Sequence, residues 1–242
     1  MYGIIVELII SGLLLWLIYR KHLSVLGFAP TRARLFHFLF GFATAAICCT
    51  VYFLSFTLLA GTEWHFNKTF TIQQLAESSW WTFKSVIYEE LIFRGAPLYI
   101  AIRLVGTRTA CIISAVGFGI YHWFSMGAFG NPVQMIFLFF STGVWGFMFA
   151  MAFAKTKSLY LPAALHLGWN GVNTIVFSQG PLGNQLLISG DSEKLRFLLT
   201  WVVFLFQVFA VPLLVYAYLK RKDLKTTNAT RNDIEPRAVP LP

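Results

Sequence analysis

Apolar residues in this chain come in long runs, and the polar residues gather in the gaps between them. A helix that crosses a bilayer needs ~20 mostly apolar residues. Stretches of that kind lie at about 2–19, 36–60, 79–101, 108–128, 132–154, 158–178 and 195–219. The pattern predicts an all-α fold, a polytopic transmembrane helical bundle of about seven spans. The gap at 62–80 carries Trp64, Phe66, Phe70, Trp80 and Trp81, the aromatic character of a membrane interface. A half-helix hidden there would raise the count to eight. Residues 1–222 read as a single membrane domain, and 223–242, which ends in EPRAVPLP, as a flexible tail. The first run has no basic segment ahead of it and no small-residue cleavage site. It ends at Arg20, Lys21 and His22, so it reads as a retained anchor.

Composition sharpens this. Of the 242 residues, 57% are apolar and only 12% charged. A soluble domain carries roughly 25% charged residues, so this chain has too few to cover a globular surface in water. It also has too much to bury for intrinsic disorder. The net charge of +9 does not form a patch for nucleic acid. Its carriers alternate between gaps. Arg20, Lys21, Arg32, Arg34, Arg103, Arg108, Lys155, Lys157, Lys220, Arg221, Lys222, Lys225, Arg231 and Arg237 fall on one side, whereas the other holds Lys68, Lys194 and Arg196 beside Glu63, Glu77, Asp191 and Glu193. Basic loops stay in the cytoplasm, which puts the N-terminus outside and the C-terminus in the cytoplasm. Cys48, Cys49 and Cys111 sit inside apolar runs and read as packing, not as a disulfide or metal set.

Ionisable groups are costly inside a span, so each one there is a functional candidate. The third run contains Glu89, Glu90 and Arg94. Glu90 and Arg94 stand at i and i+4, the favourable order for a Glu–cation pair on one helix face. Glu89 is rotated away by about 100° and is left without a partner from its own helix, as a general base requires. The fourth run offers His122. The sixth offers His166, Asn170 and Asn173, which share one helix face, with the small residues Ala163, Ala164, Gly168 and Gly171 allowing close approach. Each group alone also suits a polar stripe that ties helices together. His22, His37 and His65 read as ordinary, and Glu7 and Lys84 lie close enough to span ends to snorkel. Taken together, three helices supply a carboxylate, two histidines, an amide and a Glu–Arg pair. That set can activate a water and stabilise an oxyanion. It can equally hold a divalent cation such as Zn2+ through Glu89, His122 and His166. Ser125 and Ser141 have no base beside them, and no aspartate lies in any run.

The motifs Glu89-Glu90-x-x-x-Arg94, Phe118-x-x-x-His122 and His166-x-x-x-Asn170 occur in that order on three runs. This resembles the CPBP family of intramembrane proteases, also called Abi, which includes CAAX proteases, bacteriocin-processing enzymes and type II CAAX prenyl endopeptidases. The resemblance covers about residues 75–180. It implies an endopeptidase in which Glu89, assisted by His122, activates the attacking water, and His166 and Asn170 face the developing oxyanion. Glu90 and Arg94 support the site. The family has been described both as metallopeptidases and as metal-free glutamate peptidases, and the residues suit either. The implied substrate is a peptide or protein, prenylated or embedded in the membrane. Two other functions stay open on the same residues: a non-enzymatic membrane immunity or partner protein that keeps the protease fold, and a small transporter or proton relay.

Overall fold

The structure, a computed structural model, describes residues 2–178 and 180–234, the last twelve by their backbone alone. Eight α-helices run through the described residues: α1 (Tyr2–Tyr19), α2 (Arg32–Ala60), α3 (Ile72–Arg94), α4 (Ala96–Val105), α5 (Thr107–Ser125), α6 (Pro132–Thr156), α7 (Tyr160–Gly171) and α8 (Phe197–Ile234). A π-helical turn, Val172–Phe177, extends α7. Two short strands, β1 (Trp64–Phe66) and β2 (Leu187–Ser189), pair antiparallel with His65 opposite Ile188. The expected all-α membrane bundle is thus the observed architecture. Of the expected tail, residues 223–234 continue α8 and residues 235–242 lie outside the described residues.

The division into spans differs from the sequence expectation in three places. The run expected at 79–101 is two helices that meet at Gly95. A Cβ there would collide with the carbonyl oxygen of Leu91, so the break needs glycine, and Pro97 then favours a new helix start. The segment 62–80, read as interfacial with a half-helix as the alternative, is instead β1 followed by the first turns of α3, which begins at a capping box. The Thr71 side chain accepts from the Gln74 N–H at 3.2 Å, and the Gln74 side chain accepts from the Thr71 N–H at 2.9 Å. By length and composition, four helices among the described residues can cross a membrane: α1, α2, α6 and the Phe197–Lys222 part of α8. The motif-bearing α3, α5 and α7 are not among them, because polar and ionisable residues lower the hydropathy of α3 and α5 and α7 has only 12 residues.

Packing explains how those helices are held. α7 is nearly buried from Leu161 to His166, and α2 lies closest to it. A Cβ at Gly168 would run into the Phe42 carbonyl oxygen of α2, so the close approach expected of the small residues is real at Gly168. At Gly171 a Cβ would meet nothing within 4 Å, so that glycine is not part of the contact. Gly168→Ala is therefore expected to destabilise the protein by ~1–3 kcal/mol through overpacking. Thermal unfolding in detergent reads it directly. The start of α7 is pinned by the loop after α1: the buried Ser158 hydroxyl donates to the Gly27 carbonyl at 3.2 Å, and the Leu159 N–H donates to Leu26 at 3.2 Å. Two apolar clusters fill the bundle. One joins α2, α5, α6, α7 and α8 around Cys49, Phe149, Leu161 and Val211; the other joins α1 and α3–α6 around Leu15, Leu91, Cys111 and Phe153. All three cysteines are free and buried, as expected.

Candidate active site

The helices bring together Glu89, Glu90 and Arg94 of α3, His122 of α5 and His166 of α7. Their order of burial is informative. Arg94 is 0% exposed and Glu90 1%, whereas Glu89 is 8% exposed and His122 is half-buried. The charged pair is thus the most deeply buried part of the set, and Glu89 and His122 are less so.

Glu90 Oε1 stands 3.4 Å from Arg94 Nη1, the i, i+4 ion pair that the sequence indicates. The same oxygen accepts a 2.9 Å hydrogen bond from His166 Nδ1. A carboxylate only accepts, so Nδ1 carries the proton and the ring is held by a carboxylate, as an orienting group holds a functional histidine. The rings of Phe93, Phe118 and Phe149 enclose the guanidinium. The Arg94 guanidinium carbon lies 4.1 Å from the Phe118 centroid and 4.8 Å from that of Phe149. Phe149 also stacks on the His166 ring at 4.9 Å. Among the described residues Arg94 has no hydrogen-bond partner at Nε, Nη1 or Nη2, so its charge rests on the Glu90 pair and on these cation–π contacts.

His122 is fixed in the same manner. Its Nδ1 donates to the Phe118 carbonyl at 2.8 Å, one turn back on α5. Both histidines therefore turn Nε2 toward one atom, Glu89 Oε2, at 4.0 Å from His122 and 3.8 Å from His166. That oxygen is buried without a hydrogen-bond partner among the described residues.

One expectation needs correction. Glu89 is not without a neighbour on its own helix, because the Ser85 hydroxyl donates to Oε1 at 3.5 Å from the preceding turn. The i−4 spacing was visible in the sequence. Phe149 was not findable: it is one apolar residue among many in an apolar helix. Asn170 lies one turn beyond His166 on α7 and is half-exposed. Asn173 falls in the π-helical turn, so the α-helical register that aligns it with His166 does not extend to it. Glu7 does not snorkel. Both its carboxylate oxygens are buried with no hydrogen-bond partner among the described residues. His37 is buried and accepts from Lys222 Nζ at 3.0 Å, a tie between α2 and α8, and His65 sits on β1 beside Glu63 at 3.6 Å. Among the described residues no group of three His, Cys, Asp or Glu is gathered so that it could hold a metal ion. Glu89, His122 and His166 as arranged thus do not fit Zn2+.

These features define a class: a helical integral membrane protein with a carboxylate–imidazole site enclosed among its helices. Comparison with known families goes further. The family described as type II CAAX prenyl endopeptidase Rce1-like matches residues 71–172, the segment that carries all three motifs. That segment is similar to the CPBP, or CAAX protease, family. No curated protein and no solved structure matches the chain.

Proposed function

We propose that this protein is an intramembrane endopeptidase in which Glu89 is the general base. The observation that carries the proposal is the convergence of two oriented histidines on an unpartnered oxygen of Glu89. A CAAX-type protease is what the family match supports; the roles below are read from the geometry.

A water between Glu89 Oε2 and His122 Nε2 donates one hydrogen to each, which turns its lone pair toward a bound peptide. It attacks the carbonyl carbon as Glu89 takes its proton. Negative charge then develops on the carbonyl oxygen. His166 in its doubly protonated form donates from Nε2 to that oxygen while Nδ1–H stays on Glu90. Two carboxylates, one guanidinium and one imidazolium sum to zero, so the buried set is balanced. The Asn170 amide, one turn along, is the second donor. When the C–N bond breaks, Glu89 passes its proton to the leaving amine, giving a carboxylate and an amine. Asn173 supports Asn170 at the end of α7. No step uses a metal.

The substrate is a peptide or protein that enters from the bilayer, prenylated or membrane-embedded, and is met by residues 1–222 acting as one unit. The N-terminus is outside and the tail cytoplasmic. The test is cleavage of a fluorogenic prenylated CaaX peptide and its unprenylated counterpart by the protein purified in detergent, with and without chelator. Cleavage unaffected by chelator, with no stoichiometric metal in elemental analysis, is the expected result. Zinc lost together with activity would make Glu89, His122 and His166 ligands instead. Asn170→Ala is expected to lower kcat about 10²–10³-fold with KM little changed, because the lost donor acts only on the oxyanion. A folded protein whose phenotype survives loss of Glu89 would point to the non-enzymatic partner.

A further inference from the structure

A cavity lies apart from the candidate active site. It is a groove of about 910 Å³ between α5, α6 and α8, at the upper end of the ~300–1,000 Å³ usual for ligand sites. None of the candidate site residues lines it. Its walls are apolar, with Phe140, Phe147 and Met151 of α6 facing Phe209 and Leu213 of α8. Two features hollow it out. At Gly143 an added Cβ would meet only the Ala115 carbonyl oxygen, at 3.9 Å. Opposite, Pro212 interrupts the hydrogen-bond ladder of α8.

The groove is not uniform along its length. One end is lined by Arg108, Lys155 and Lys220. Chain direction puts them together: Arg108 is in the first turn of α5, Lys155 in the last turn of α6, and Lys220 follows the apolar stretch of α8. Arg108 and Lys220 are exposed and have no ion-pair partner among the described residues. Bulk lipid would fill an apolar groove without any such charges. Cations confined to its mouth, on the side whose loops are rich in Lys and Arg, match a molecule with an anionic head and an apolar tail. Basic pockets between membrane helices hold anionic headgroups in this way.

We propose that the α5–α6–α8 groove is a binding site for one anionic phospholipid. Its acyl chain lies along Gly143 and Pro212, and its phosphate is held by Arg108 and Lys220. Arg108 offers the phosphate a planar fork of N–H donors, and Lys220 a mobile point charge. The lipid would brace α5 against α6 and α8.

Native mass spectrometry of the full chain in detergent, with phosphatidylglycerol or phosphatidylcholine added at equal concentration, tests this. Phosphatidylglycerol is expected to be retained at one copy with roughly 25-fold preference, about fivefold from each of the two cations. Arg108→Gln/Lys220→Gln should bring it down to the phosphatidylcholine level. Both positions are on the surface, so the fold is not at risk. Gly143→Leu, which fills the groove, should reduce retention of both lipids, and its melting temperature checks that the bundle is intact. Equal retention of the two lipids by the wild-type protein overturns the proposal, as does an undiminished preference in the double variant. Displacement of phosphatidylglycerol by an equimolar farnesylated cysteine methyl ester also overturns it, and would mark the groove as an isoprenyl site.

Discussion

Glu89→Gln is expected to leave a folded protein whose kcat/KM falls by about 10²–10⁴-fold, the range a positioned general base contributes. The substitution is close to isosteric, so the Ser85 hydroxyl, now 3.5 Å from Oε1, keeps an acceptor there. The aromatic enclosure around Phe118 and Phe149 is untouched. What disappears is the only atom on which both imidazoles converge, at 3.8 and 4.0 Å, and with it the group that takes a proton from the water. His122→Ala should cost less, because Glu89 can still accept the proton from a less well-held water. The check is kcat/KM on the peptide that the wild-type protein cleaves best, alongside size-exclusion profiles in detergent. A well-folded Glu89→Gln protein with wild-type kcat/KM ends the general-base assignment. A loss in His122→Ala greater than in Glu89→Gln would move the base to the histidine.

How much of this could be read from the chain alone differs by level. The apolar runs of α1, α2, α6 and α8 matched helices because lipid demands that backbone polar groups be satisfied within the segment. Run length predicts such helices well. It fails at α3 and α4, where a single continuous run hides a break. Hydropathy does not register that Gly95 has no Cβ to strike the Leu91 carbonyl. The i, i+4 relation of Glu90 and Arg94 was legible because it is intrahelical. That Glu90 also receives His166 was not, since it depends on how α7 crosses α3. Local spacing points to the candidate residues, whereas tertiary packing decides which of them orients which. Glu7 shows the limit from the other side. Its position near a helix end suggested access to water, but its carboxylate oxygens are buried.

Removal of the Glu90–Arg94 pair should have the largest effect on stability. Arg94 is fully buried, and none of its nitrogens makes a hydrogen bond among the described residues, so Glu90 at 3.4 Å is its nearest anionic counterweight. Glu90→Gln leaves that guanidinium uncompensated, and breaking one side of a buried pair costs about 3–5 kcal/mol. Arg94→Met should be milder, because Glu90 keeps the 2.9 Å bond from His166. The double variant is the decisive one. With both charges gone, the site loses its desolvation cost as well as its attraction, and the methionine side chain can fill the space between Phe118 and Phe149. Its stability should lie well above the sum of the single losses, measured by thermal unfolding in one detergent and expressed as a coupling energy. Activity should not return with it. The amide oxygen left by Glu90→Gln still accepts from Nδ1 but no longer balances an imidazolium, so His166 loses its support as an oxyanion donor. Additive single effects would mean that the pair is not coupled and that Arg94 is held by its aromatic neighbours alone. Recovery of both stability and cleavage in the double variant would show that the two charges serve only the fold.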